Sequence, residues 1–555
     1  MSLQFITGNS GNGKTKYLFN RIVKEAKANP RDNYLVIVPE QFTMQTQRQL
    51  VDLSENKAIM NIDVLSFKRL AYRVFDELGI TNLTVLEETG KNLVLRKLAA
   101  QEADKLGIIG RNLNRIGYIS EVKSLLSELV QYNISPEELG RYIASGRLSD
   151  TLSDKLKDVL VLYEAFEKFM QDKYITAEEI LNVLSNVAEE SAILRNSVIA
   201  FDEFTGFTPI QNQLIKKLFV ISKKIYVTLT IDCREDIFKS RGMQELFDMP
   251  KRTVKSLTEM AAFYGIEVDE PIILDKNYRL AENEELSFME QQLFRKRRCS
   301  FEKAPKYIHI DCLRDPKQEL TKIARRINEL VRNENLRYRD IAIVTGDVNI
   351  YAGYVREIFD KYNIPYFIDA TQEILFHPFI EFIRSIPDIA AQNFSADAVF
   401  RFLRCGFTEL SAGEIDVLEN YVLACGVRGK SAWDKKWVRL PKHKAGYDLE
   451  LLNQSREYIM ELLKPVYQVF SDKKSTVKDY VLAIYKLIVL LDIPDKLAKK
   501  EQALLDAGDQ TASKEYGQIY KIVMQLFEKY VAVLGDECMD AEEFTQILDA
   551  GLDAA

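Results

Sequence analysis

The sequence is poor in cysteine. Its six cysteines, Cys233, Cys299, Cys312, Cys405, Cys425 and Cys538, are scattered and form no C-x-x-C pair. That pattern excludes a disulfide framework and a zinc ribbon, and suits reduced thiols in a cytoplasmic protein. Long apolar runs are lacking too. The richest, residues 481–491, is short and broken by Lys486, which predicts no membrane span and no membrane partner. No secretory leader is expected, because the chain enters a strand-like segment at Leu3. Positive charge is not in surplus. A net charge of −7 over 555 residues argues against a blanket nucleic-acid coat, though not against a local basic channel. No internal repeat or low-complexity tract stands out. What remains is 47% hydrophobic and 28% charged, an ordinary globular balance. The length suffices for roughly two to four domains.

The most informative stretch is near the start. Leu3, Phe5 and Ile6 read as a buried strand. Gly8-Asn9-Ser10-Gly11-Asn12-Gly13-Lys14-Thr15 follows and fits G-x-x-x-x-G-K-[ST]. An amphipathic helix comes next, with Tyr17, Leu18, Ile22 and Val23 on one side. Glycines at 8, 11 and 13 let the backbone curl so that N–H groups point at phosphate oxygens, and the new helix adds its positive end. Lys14 is placed for the β- and γ-phosphates and the Thr15 hydroxyl for Mg²⁺. Gly8, Ser10, Gly11, Asn12, Gly13, Lys14 and Thr15 are therefore the candidate residues for ATP, with Mg²⁺ as its companion. The alternative is a plain glycine-rich turn, which the strand-and-helix frame disfavours.

Tyr34-Leu35-Val36-Ile37-Val38, closed by Pro39, predicts a second parallel strand. Ligands in open parallel sheets sit beyond the carboxyl ends of strands, so Glu40, Gln41 and Thr43 are placed to touch something. The alternative is a polar helix start with Thr43 as cap. A third strand-like piece, residues 62–67, leads into Phe67, Lys68, Arg69 and Tyr72. Rings mixed with cations suit single-stranded nucleic acid. An ordinary amphipathic helix with Leu70, Val74 and Phe75 in the core also explains them. Residues 81–196 turn almost wholly helical, with i, i+3, i+4 spacing over 86–106, 118–131 and 153–173 and no strand signal. Ser135-Pro136-Glu137-Glu138 and Thr176-Ala177-Glu178-Glu179 read as capped helix starts.

Ser197-Val198-Ile199-Ala200-Phe201 resumes a buried strand and ends in Asp202-Glu203. There Asp202 is suited to hold Mg²⁺ through water and Glu203 to orient an attacking water; a solvated strand end is the alternative. A further strand runs over 225–231 to Asp232, and Ile272-Ile273-Leu274 precedes Lys276-Asn277-Tyr278-Arg279. Arg295-Lys296-Arg297-Arg298 is either a phosphate grip or a solvated linker. Strand-like runs at 308–310, 341–344 and 364–368 then alternate with helices over 317–332 and 351–362, which predicts a second parallel-sheet domain. From 376 onward the pattern is helical, with Trp433, Trp437 and Tyr447 expected in a basic loop. The last six residues look cut, so the natural chain is expected to be longer.

The ordered set resembles superfamily 1 helicases of the UvrD/Rep type. The phosphate loop and Asp202-Glu203-Phe204 match, and Asn277-Tyr278-Arg279 is similar to that family's arginine-finger motif. Within the group the chain resembles the AddB family, one of the two kinds of chain that make up AddAB-type helicase–nucleases. Val38-Pro39-Glu40-Gln41-x-Thr43, Ser66-Phe67-x-Arg69-Leu70-Ala71 and Phe204-x-Gly206-Phe207-Thr208-Pro209 carry that likeness. The resemblance implies an α/β fold with two RecA-like parallel-sheet P-loop domains and large helical insertions. Its division would be 1–80 with 197–298, an insertion at 81–196, a second domain from 299 to 375, and an insertion at 376–555. It implies Glu203 and Arg279 as catalytic groups. Gln41, Thr43, Phe67, Arg69, Tyr72 and Phe207 would read a Chi sequence on the 3′-ended single strand. It implies break processing for recombination with an AddA-type motor and nuclease partner, acting on broken double-stranded DNA. A cysteine-bound iron–sulfur cluster belongs to the second half of such chains. The sequence departs from the helicase pattern in three places. An adenine-reading glutamine has no room before Gly8, Asp232-Cys233-Arg234-Glu235 lacks the usual glutamine sensor, and the late motifs are not evident. A DNA-reading subunit with little motor activity, an active translocase and a small-molecule kinase are the competing readings. The long separation of Lys14 from Asp202 disfavours the third.

Overall fold

The computed structural model describes residues 1–81, 85–86, 88–108, 110, 118–146, 148–170, 174–295, 299–369, 374–440, 447–472 and 474–553. Two compact units divide the chain, Met1–Asp275 with Ile374–Ala555, and Lys276–Glu373.

The first unit is built on a parallel sheet. Its strands are β1 (Ser2–Gly8), β2 (Tyr34–Ile37), β3 (Ile62–Leu65), β6 (Val198–Phe201), β7 (Lys224–Thr230), β8 (Glu267–Val268) and β9 (Ile272–Leu274). The order is β3-β2-β6-β7-β1-β8, with β9 beside the later half of β1. In register, Gly8 lies opposite Thr230 and Ile37 opposite both Phe201 and Leu65. Alternate side chains feed two cores. Leu3, Phe5, Leu35, Ile37, Ile199 and Phe201 enter one, and Ile6, Val36, Val38 and Ala200 the other. Helices α1 (Lys14–Ala28) and α2 (Thr43–Leu53) cover the second face through Leu18, Phe19, Ile22 and Leu50. Helices α3 (Phe67–Leu78), α8 (Ile180–Val187), α9 (Pro209–Ile221) and α10 (Asp248–Phe263) cover the first. Continuous apolar strands are what burial on both faces requires. The expected α/β class is met by this seven-stranded sheet.

Between β3 and β6 the chain is mostly helical, as expected: α4 (Glu88–Gln101), α5 (Tyr118–Gln131), α6 (Pro136–Ala144) and α7 (Asp150–Met170). Ser135 and Glu138 exchange side-chain and backbone bonds at the start of α6, and Thr176 and Glu179 do the same before α8. One expectation fails here. Two short strands, β4 (Val85–Leu86) and β5 (Ile175–Thr176), pair in parallel. Two residues are too few to show a period, so no sequence signal marked them.

The second unit holds α11 (Glu284–Gln292), α12 (Pro316–Asn333) and α13 (Val348–Lys361). Helices α12 and α13 pack through Leu320, Ala324, Ile327, Ile358 and Phe359, with Ile364 beside them. The strands expected at 308–310, 341–344 and 364–368 form no ladder among the described residues. Ile310 and Val344 stand 94% and 93% exposed. The apolar pattern encodes burial, but no neighbouring strand among the described residues offers it. The basic run continuing at 296–298 lies outside the described residues.

The remaining helices return to the first unit: α14 (Pro378–Ala391), α15 (Ala396–Arg404), α16 (Ala412–Cys425), α17 (Lys430–Asp434), α18 (Leu449–Ser471), α19 (Val477–Leu490), α20 (Ile493–Asp506), α21 (Gln510–Leu534) and α22 (Ala541–Asp553). Trp433 is fully buried within α17 rather than in a loop, and Trp437 donates its indole N–H to Ala432 at 3.0 Å. Leu93 of α4 joins this core, while Val94, Leu95 and Leu98 serve the core of α4–α7. Lys97 pairs with Glu537 at 2.6 Å, and Arg96 donates to Gln546 at 3.1 Å. No helix among the described residues is long and apolar enough to cross a membrane.

Candidate functional site

The strands of the main sheet all point one way, so their following loops leave from one edge. From β1 the chain turns through Gly8–Gly13 into α1. Gly8 runs close under β9, where an added Cβ would lie 2.6 Å from the Leu274 carbonyl oxygen. Gly13 sits at φ 78° just before α1, a left-handed conformation that glycine adopts without strain. Asn12 ties the loop down by donating to the Leu274 carbonyl at 2.6 Å. Lys14 folds back over the loop, its ammonium donating to the Gly8 and Asn9 carbonyls at 3.0 Å each. The first turn of α1 carries no acidic residue, which leaves its positive end open to an anion. Ser10 is exposed and Gly11 holds φ 90° at the crown of the loop.

Next to the loop lies the end of β6. Asp202 is buried; one carboxylate oxygen accepts the Thr228 hydroxyl, and Oδ2 has no hydrogen-bond partner. Burial pushes the Asp202 pKa up, opposed by the Thr228 hydroxyl and reinforced by the neighbouring Glu203 charge. Glu203 takes φ 65°, rare for a residue with a Cβ, and accepts the Thr15 hydroxyl at 3.3 Å. Buried, unpartnered side-chain oxygens also occur on Thr7, Asn9 and Asn12. A hard divalent cation takes oxygen ligands of this kind, so Thr15 and Asp202 fit Mg²⁺. Beyond β7, Asp232 is buried and receives Arg234 through Nε at 2.9 Å and Nη2 at 2.6 Å. The pair stands where the helicase pattern would carry its glutamine.

Further along the same edge, the ends of β2 and β3 meet. Glu40 accepts Arg69 Nε at 2.8 Å and the Ser66 hydroxyl. Ser66 in turn caps α3, accepting the Arg69 backbone N–H at 3.3 Å. The Ser66 hydroxyl, and then Arg69, hold the Glu40 carboxyl below its usual range. Gln41 is exposed, and Thr43 is buried with its hydroxyl on the Glu40 carbonyl at 2.9 Å. Phe67 is buried among Phe201, Phe204 and Phe207, with centroids 5.8, 5.6 and 6.3 Å away. The structure thus brings Phe67 and Phe207 together. Tyr72 is 41% exposed, its ring edge-on to Phe75. Arg279 lies in the other unit, exposed, its backbone N–H donating to Asn277 Oδ1 at 3.1 Å.

Three features of the site went unread in the sequence. Thr228 was hidden in an apolar strand, though a threonine between Val227 and Leu229 was a visible cue. The Leu274 carbonyl is backbone and leaves no sequence mark. The role of Glu40 as a tether needed the third dimension. All six cysteines are free, and no group of three or more metal-binding side chains gathers among the described residues.

Comparison with known proteins agrees with the architecture. A family model described as "ADDB, N-terminal" matches residues 5–290. The B subunit of the ATP-dependent helicase/deoxyribonuclease of Lachnoclostridium phytofermentans is 38% identical over 99% of this chain and 49% of its own length. The proteins of the same name from Clostridium acetobutylicum and Caldanaerobacter subterraneus are 31% and 32% identical over 100% of this chain and 48% of theirs. The chain spans about half the length of the curated relatives it matches.

Proposed function

The chain belongs to the AddB family, as the N-terminal part of such a subunit, and from that premise we propose that it is an ATP-binding, DNA-reading part of an ATP-dependent helicase/deoxyribonuclease. It works with a partner subunit that supplies the motor, on the 3′-ended single strand of broken double-stranded DNA, in a cytoplasmic repair complex of the AddAB type. Gly8–Thr15 holds the triphosphate, Thr15 and Asp202 hold Mg²⁺, and Glu203 and Arg279 are the residues left to serve hydrolysis. Gln41, Thr43, Phe67, Arg69, Tyr72 and Phe207 read a Chi sequence. Residues 299–375 begin a second motor-type domain, and the iron–sulfur cluster belongs to the other half of the subunit.

One observation carries the reading. The phosphate loop and the Glu40–Arg69 tether leave the same edge of one parallel sheet, which supports a bound nucleotide and a bound strand served by one frame. The Asp232–Arg234 pair in the sensor position favours little motor activity, because the guanidinium is committed to a carboxylate. The presence of Glu203 keeps active translocation as the second reading. Steady-state ATP turnover of the full-length subunit on single-stranded DNA separates them. We expect less than about one turnover per second, against a median near ten for enzymes generally. Turnover above about ten per second, abolished by Lys14→Ala, establishes the translocase instead.

A further inference from the structure

We propose that Thr228 is a positioning residue for the metal site: its hydroxyl fixes the rotation of the Asp202 carboxylate and so selects the oxygen offered to Mg²⁺. The inference rests on the reading that Thr15 and Asp202 hold Mg²⁺ beside a bound triphosphate. Two strands bring the pair together. Phe201 of β6 lies opposite Val227 of β7, so Asp202 and Thr228 each stand one residue beyond that pairing. Ala200 and Tyr226, two residues earlier, enter the same core. Side chains repeat every second residue along a strand, which sends Asp202 and Thr228 to that same face. Helix α1, which begins Lys14-Thr15, covers it.

The contact is directional. Thr228 is buried, in a stretch of β7 otherwise made of Ile225, Tyr226, Val227 and Leu229. Valine has nearly the same shape and no polar atom, so packing alone does not ask for a hydroxyl here. A hydroxyl has one proton, and an ionised carboxylate only accepts. The Thr228 proton therefore goes to Asp202 Oδ1. That bond claims one oxygen and stops the carboxylate from turning about its Cβ–Cγ bond. Oδ2 is left buried and without a hydrogen-bond partner. A buried oxygen in that state costs stability until something meets it. A hard cation takes such an oxygen, and binds best where its ligands are already aimed. Groups that hold a ligand from behind commonly change metal affinity by about 10- to 100-fold. With its single proton committed to Asp202, Thr228 acts on the ion through that residue.

The test measures how much Mg²⁺ strengthens nucleotide binding by the full-length subunit. Calorimetric titration with a non-hydrolysable ATP analogue gives the affinity in excess Mg²⁺ and again in EDTA. The ratio of the two is the metal-dependent gain. In Thr228→Val that gain should fall about tenfold or more. Thr228→Ser keeps the donor and should retain the gain within about twofold. In EDTA the unaltered protein and both variants should bind the analogue alike, because the hydroxyl serves the ion and not the phosphates. The proposal is overturned if Thr228→Val keeps the full gain. It is overturned equally if Thr228→Val and Thr228→Ser lose the gain to the same extent, as a mere packing role predicts. An unaltered subunit that binds no analogue, or binds it no better with Mg²⁺, refutes the metal reading and this inference with it. A gain shared by the unaltered protein and Thr228→Val refutes the inference alone. Where Thr228→Val impairs folding, Thr228→Ala removes the hydroxyl without adding bulk and carries the same comparison with Thr228→Ser.

Discussion

Replacing Asp202 by asparagine tests the nucleotide site through stability. The Asp202 side chain is almost wholly out of water, with one oxygen on Thr228, the other unpartnered, and the Glu203 charge adjacent. Its ionised form therefore carries an uncompensated charge until a cation arrives. Asparagine keeps the shape and the oxygen that Thr228 donates to. It exchanges an anionic oxygen without a partner for a neutral amide without one. Burying a neutral polar group costs less than burying a charge, and the unpaired amide takes back roughly 1–3 kcal/mol of the gain. A net stabilisation of about 1 kcal/mol is expected wherever Asp202 is ionised, a rise in Tm of about 2 °C. The pH sign follows from the raised pKa. The folded protein holds a proton that the unfolded chain has already released, so stability falls as pH climbs from about 3.9 to the raised value, then levels. The asparagine variant has no such fall, so the advantage of D202N is absent below about pH 3.9 and complete only above the raised value. Ligand reverses the order. If the proposed site holds them, ATP with Mg²⁺ at about a hundredfold excess over Kd should stabilise the unaltered protein by about 2.7 kcal/mol. The variant, lacking the carboxylate oxygen for the cation, gains much less. Scanning fluorimetry across pH, with and without Mg²⁺ and ATP, should show the two melting curves exchange places. A variant that without ligand melts no higher than the unaltered protein at any pH refutes the reasoning.

Three further outcomes are expected. Lys14→Ala removes the ammonium held over the loop, and calorimetric titration should show ATP binding weakened about 10- to 100-fold with Tm moved by less than about 1 °C. At position 203 the φ of 65° penalises any Cβ, so urea denaturation should find Glu203→Gly more stable than Glu203→Ala by about 1 kcal/mol, the reverse of the usual order. Lys91 and Glu178 form a buried pair at 2.6 Å, and Lys91→Met alone should cost about 3 kcal/mol. The double change Lys91→Met with Glu178→Leu should recover most of that loss, and equal losses would show that the penalty is not an uncompensated charge.

The parts of the fold that sequence makes legible are those written locally. β1, the glycine spacing and α1 are contiguous, and so are β6 and its Asp202-Glu203 ending. Their apolar runs and loop chemistry need no distant partner to be recognised. Contacts made across the sheet are not written that way. Asn12 reaches the Leu274 carbonyl 262 residues away, and Asp202 meets Thr228 only because β6 and β7 pair with Phe201 opposite Val227. The same limit works in reverse in the second unit. Ile310 and Val344 carry the apolar signature of strands, yet a ladder requires a neighbour that a pattern cannot supply. Phe67 shows a third case. Its aromatic character is visible in the sequence, but whether it faces a base or Phe201 depends on how α3 lies on the sheet.

Helix α4 has apolar residues on two sides because it serves two cores, and this affects how the protein is made. Leu93 finds its cover only among helices synthesised much later, and Lys97 meets Glu537 across 440 residues of chain. A ribosome adding about 5–20 residues per second needs roughly half a minute or more to deliver that partner. Throughout that interval the nascent chain presents a greasy helix to chaperones and to its neighbours. Yield in the cell is then governed by the race between elongation and sticking, and a slow codon run before residue 541 would lower it without changing a single contact of the finished molecule.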